Sequence, residues 1–196
     1  MQRFKNSFRS FLRDEDGVVL AETLLIIPFL IWTMVALFVY WDVWRTINIG
    51  QKAAYSVADL LSRQEDPIEP AYLANMQNIL NFLTPGAPQR AMRITSFEYD
   101  AGDDEYCLLF STSTNEAAAP KKTQTQIQEW RTAGRIPTLV DRESVFVVET
   151  WVDFTPAFDT GVLNIGPTLN AATYGEFIVT SPRHRRLVLV GNTNCL

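Results

Sequence analysis

From Val18 to Trp41 the chain runs for 24 residues with a single charged side chain, Glu22. As a helix rising about 1.5 Å per residue the run reaches roughly 36 Å, against a hydrocarbon core of about 30 Å. It has the length to cross a bilayer with some tilt. It is longer than the apolar segment of a secretory signal, about 7–15 residues, and no A-x-A site follows it. The preceding segment, Met1 to Asp16, carries Arg3, Lys5, Arg9 and Arg13. Basic residues beside a span stay on the cytoplasmic side, and Asp14, Glu15 and Asp16 count little in that rule. The amino end is expected inside and everything beyond about Trp44 outside.

That topology bears on the cysteines. Cys107 and Cys195 both fall in the exported part, where thiols oxidise and stay oxidised. Neither belongs to a CxxC or a metal-ligand spacing, so the expectation is one disulfide that closes a long loop and pins the carboxyl terminus. After the tail and the span, the rest of the 196 residues suffices for one exported domain. With 47% hydrophobic and 12% aromatic residues that domain can build a core, which excludes a disordered stalk. A formal charge of −5, with no basic stripe outside the tail, argues against nucleic acid as a partner.

Tyr40, Trp41 and Trp44 with Arg45 form an aromatic belt at the outer interface. Beyond it Ile49, Ala53, Val57 and Leu60 recur at helical spacing, so one helix is expected from about Val18 to Arg63. Pro28 lies inside it and removes a backbone hydrogen bond. Gln64 to Pro70 ends the helix. Leu73, Met76, Leu80 and Leu83 mark a second, shorter one, stopped at Pro85-Gly86. Met92–Tyr99 and Tyr106–Ser113 then read as strands around the Asp100 to Glu105 turn, with a helix candidate at Thr123–Thr132. Val145–Phe154 is the strongest strand signal. Phe177–Thr180 and Arg185–Val190 read as a terminal hairpin around Ser181 to His184. The expected class is α+β: a long membrane-spanning helix continuing into an exported domain with a short helix and an antiparallel sheet. The segments are 1–17 (leader), 18–44 (transmembrane helix), 45–88 (exported helical region) and 89–196 (exported sheet domain).

Catalytic constellations are scarce. The one histidine, His184, sits between arginines in a turn, leaving little for triad or His-based metal geometry. Asp103, Asp104 and Glu105 lack the ligand periodicity of a calcium loop. Gly161, Gly166 and Gly175 lie too far apart for a phosphate loop, and Ser181 has no nearby base. The expectation is a non-enzyme with no catalytic residue, no metal and no cofactor.

A basic tail, an acidic cluster, Gly17, four mostly apolar residues, Glu22, and an apolar run containing Pro28 form a pattern. It resembles the TadE-like (TadE/TadG family) minor pilins or pseudopilins of the tight-adherence (Tad/Flp) pilus. The stretch GRIPTLVDRESVFVVETWVDFTPAF, Gly134 to Phe158, is also similar to that family's exported region. The resemblance implies a pilin-like fold and cutting by a prepilin peptidase, a membrane aspartic protease, between Gly17 and Val18. Glu22 then stands at the fifth mature position, where the family carries its hallmark glutamate. The family prefers Phe or Tyr next, and this chain has Thr23. The partners implied are membrane lipid, the prepilin peptidase, and other pilins and pilus assembly proteins. The implied location is the bacterial inner membrane, single pass, with the carboxyl-terminal domain periplasmic or extracellular.

The physics of Glu22 admits two readings. Cleavage frees an ammonium on Val18, one helical turn away, and Glu22 would be its counter-charge within the chain or on a neighbouring helix. Alternatively Glu22 lies shallow enough to reach headgroups and has no role. Two functions stay open accordingly: a processed pseudopilin, and a signal-anchored periplasmic binding or enzymatic domain with an uncleaved amino terminus.

Overall fold

A helix of 48 residues, α1, covers Glu15–Ser62 in the computed structural model of the protein and continues through Pro28. The described residues are 15–157, 171–191 and 195, without the side chains of 15–17. The basic leader residues Arg3, Lys5, Arg9 and Arg13, and Phe158, Gly161 and Gly166, lie outside them. The chain divides into two compact units, Met1–Val43 with Pro156–Asn170, and Trp44–Thr155 with Ala171–Leu196.

The first unit holds the apolar half of α1. The second begins with its amphipathic half, where Ala53, Ala54, Val57, Ala58 and Leu61 are buried at helical spacing. After a short linker, α2 covers Pro70–Leu83. It starts ahead of Leu73 because Pro70 stands in its first turn, where a missing N–H costs nothing.

Four strands follow: β1 Arg90–Asp100, β2 Glu105–Ser113, β3 Ser144–Phe154 and β4 Ala172–Thr180. They form one antiparallel sheet in the order β2-β1-β3-β4. The fold is therefore α+β, a long amino-terminal apolar helix followed by a four-stranded antiparallel sheet. Between β2 and β3 lies α3, Gln124–Thr132, opened by a capping box of Thr123 and Gln126 and closed by Gly134 at φ +65°.

Both faces of the sheet are covered. On one, Met92 and Ile94 of β1, Phe146 and Val148 of β3 and Ile178 of β4 pack with the buried stripe of α1 and with Met76 and Leu80 of α2. On the other, Phe97, Tyr106, Val145 and Val147 pack with Ile127 and Trp130 of α3, Ile136 and Leu139. This two-sided burial is why β3 reads VFVV at its start rather than as a half-polar alternation. Helix α3 also guards the β2 edge. Gln124 accepts from the Leu108 N–H at 2.8 Å and donates to the Tyr106 carbonyl, to which the Gln128 amide also donates at 3.0 Å. Those amides occupy backbone groups that would otherwise invite another strand.

The terminal hairpin is a correction. Strand β4 is longer than Phe177–Thr180, and residues 185–190 form no strand beside it. They run instead along the linker after α1. The Ile68 N–H donates to the Val188 carbonyl at 2.8 Å, and the Val190 N–H donates to the Ile68 carbonyl at 3.1 Å.

Candidate functional site

Helix α1 is, among the described residues, the one helix long and apolar enough to cross a membrane; its most apolar stretch has a mean hydropathy of 2.3 and is almost wholly exposed. Leu25 is 75% exposed and Trp41 70%. Such a surface is far from what water tolerates on a soluble helix. Its threonine hydroxyls are satisfied within the helix: Thr23 donates to the Val19 carbonyl and Thr33 to the Phe29 carbonyl, each at 2.8 Å. Thr23 therefore brings no unpaired polar group to an apolar surrounding.

Glu22 is different. Its side chain is exposed, and it has no ion pair and no side-chain hydrogen bond among the described residues. It lies four residues after Val18, the helical spacing at which two side chains meet on one face. The Gly17–Val18 bond lies in the first turn of α1, where the first N–H groups have no intrahelical partner. A glycine there weakens the helix by about 1 kcal/mol relative to alanine, so local unwinding at this bond is cheap.

In the second unit the buried charged side chains, Arg93, Glu98 and Glu149, are all paired. Arg93 and Glu149 face each other across β1 and β3, both buried, with Arg93 Nε donating to the carboxylate at 2.6 Å. The same guanidinium donates to the Pro120 carbonyl at 2.6 Å and lies 4.9 Å from the centroid of the Trp151 ring. Glu98, also buried, receives Arg142 at 3.2 Å and Arg186 at 3.1 Å. Burial, then the positive field of Arg93, holds the Lys122 ammonium below its ordinary pKa.

The acidic turn is tied down at Asp104, which takes an ion pair from Arg131 at 2.6 Å and a hydrogen bond from the Tyr99 hydroxyl at 2.8 Å. The hydrogen bond from Arg131, then that from Tyr99, holds the carboxyl below its usual range, while donation to Asp104 raises the Tyr99 phenol. His184 is exposed, with Nε2 3.6 Å from a carboxylate oxygen of Glu65. Among the described residues no three His, Cys, Asp or Glu side chains are grouped to hold a metal ion.

Cys107 and Cys195 are joined by a disulfide, with their Cα atoms 6.0 Å apart and 88 positions separating them in sequence. The bridge at Cys195 lies just beyond residues 185–191, which form a strap. Ser96 Oγ donates to the Leu187 carbonyl at 2.8 Å, and Arg186, on the same strap, reaches Glu98. Cross-strand pairing puts Cys107 opposite Glu98, so bridge and ion pairs fasten the strap at one place on the sheet.

The sequence reading missed the Arg93–Glu149 and Glu98–Arg186 pairs. A signal was present: Glu149 interrupts an otherwise apolar strand, and a charge there needs a partner. No family model, no curated protein and no solved structure matches this chain.

Proposed function

We propose that this chain is a non-enzymatic pseudopilin or minor pilin of a tight-adherence type pilus. It is cut between Gly17 and Val18 by a prepilin peptidase, held in the inner membrane by Val18 to about Trp44 with its amino end inside, and exports the domain that follows. Other pilins and pilus assembly proteins are its partners.

One observation carries the reading. On the exposed apolar run Val18–Trp41, whose threonine hydroxyls are internally satisfied, the one charged side chain is Glu22, one turn after the residue that cleavage would make the amino terminus. A carboxylate at mid-membrane costs about 2.5–3.5 kcal/mol on insertion scales, and an ammonium partner offsets part of that. The Val18 ammonium of the same or a neighbouring copy is such a partner.

The test is Glu22→Gln in cells that make the pilus. Glutamine keeps shape and some hydrogen bonding but loses the charge. Membrane insertion and cleavage should stay largely intact while pilus output and co-purification with other pilins fall. Normal piliation with the variant assembled would leave Glu22 without an assembly role.

A further inference from the structure

The two edges of the sheet differ. The β2 edge is met by Gln124 and Gln128 of α3, and β4 is the other edge. On the β1 side of β3 the Asp153 N–H donates to the Gln89 carbonyl at 3.0 Å. Backbone bonds alternate in direction along an antiparallel strand, and the register of β3 with β1 and with β4 runs without a shift. Phe146, Val148, Thr150, Val152 and Phe154 therefore turn their backbone groups to β4. The β4 residues between their partners, Thr173, Gly175, Phe177 and Val179, turn theirs outward. Among the described residues none of these four has a backbone partner on that side. Edge strands are usually blunted by lysine, proline or a bulge, and β4 carries none of them.

The same four residues share the sheet face that carries α3, where Phe177 and Val179 pack beside the second cluster. Phe177 meets the Trp130 ring edge to face, with centroids 5.1 Å apart. Two cations rest on this aromatic pair: the Arg135 guanidinium lies 4.1 Å from the Phe177 centroid, and Lys122 Nζ lies 5.3 Å from that of Trp130. Neither is in an ion pair among the described residues, whereas Arg93 on the same face is matched by Glu149. Glu176, the one charged residue of β4, points to the opposite face, with Thr150 as its cross-strand partner. At mid-edge Gly175 is exposed and leaves the backbone bare.

We propose that the β4 edge docks an extended segment of another protein, which adds as a fifth strand and sets carboxylate side chains on the α3 face. Main-chain hydrogen bonds make the pairing, and Arg135 with Lys122 selects the charge. A second copy of β4 does not fit. Antiparallel pairing about an axis normal to the sheet keeps one face up, so Arg135 and Lys122 of both copies would crowd that face. The edge lies within the second unit and is the same whether or not the amino end is cut.

The test uses the full chain in nanodiscs of zwitterionic lipid and a peptide as long as β4 that alternates glutamate with valine. At saturation the amides of Thr173, Gly175, Phe177 and Val179 should exchange roughly tenfold more slowly than in the free chain. A lysine–valine peptide should bind about tenfold more weakly, and Arg135→Glu should reverse that preference. The glutamate peptide N-methylated along its backbone keeps its charges, loses its donors and should not bind. Slow exchange of the four amides in the free chain would overturn the proposal, because the edge would already be covered. Protection that grows with protein concentration alone would overturn it in favour of a second copy. So would equal binding of the glutamate and lysine peptides, undiminished binding of the methylated one, or no binding of the glutamate peptide, in favour of an edge without this partner.

Discussion

Glu149 sits in the middle strand pair of the sheet with its carboxylate against Arg93, and both side chains are less than one-tenth exposed. Two charges withdrawn from water gain little net stability over a well-packed apolar pair, but removing one leaves the other uncompensated. Glu149→Ala is therefore expected to destabilise the folded domain by about 3–5 kcal/mol. The double change Arg93→Met with Glu149→Leu should recover most of that loss. Urea unfolding of the two variants checks it; a Glu149→Ala variant as stable as the parent would mean that Arg93 finds another acceptor, for which the Pro120 carbonyl is the candidate. Residues of this kind are legible as a question, a charge in an apolar strand, and illegible as an answer. The partner sits 56 positions away and is set by register alone.

At the scale of elements, the three helices and the first three strands were readable because each has its own period or turn chemistry. The carboxyl-terminal region was not, for two physical reasons. Gly175 reads as the end of a strand, yet β4 runs through it: a Cβ there would come within 3.3 Å of Trp151 Cδ1, its cross-strand partner, so the glycine makes room for the indole. Leu187, Val188 and Leu189 carry the apolar character of a strand, but their hydrogen bonds go to Ile68 and Ser96, which no local pattern announces. The strap they form depends on the Cys107–Cys195 bridge. The chain-entropy model gives a loop of 88 residues about 4–5 kcal/mol. Cys107→Ser with Cys195→Ser should lower the melting temperature and speed amide exchange in residues 185–190 more than in β3. Equal protection with and without the bridge would show that Ile68 and Ser96 hold the strap unaided.

For the whole molecule, the apolar half of α1 and the two-faced sheet domain answer to different solvents. The domain buries its apolar side chains in two clusters, one on each face of the sheet, whereas the helix leaves Val18 through Trp44 largely bare. An apolar surface of this extent is poorly matched to water. The long apolar helix was legible from hydropathy and length. The role assigned to it rests on Gly17, Val18 and Glu22, three residues whose meaning lies in a processing event. The most direct measurement is the intact mass and amino-terminal sequence of the protein extracted from membranes of a host with its own prepilin peptidase. A chain beginning at Val18, with accumulation of the uncut form when Gly17 is replaced by a bulky residue, is the predicted result. A chain that retains Met1 in that host would contradict the pseudopilin account and leave α1 as a simple signal anchor.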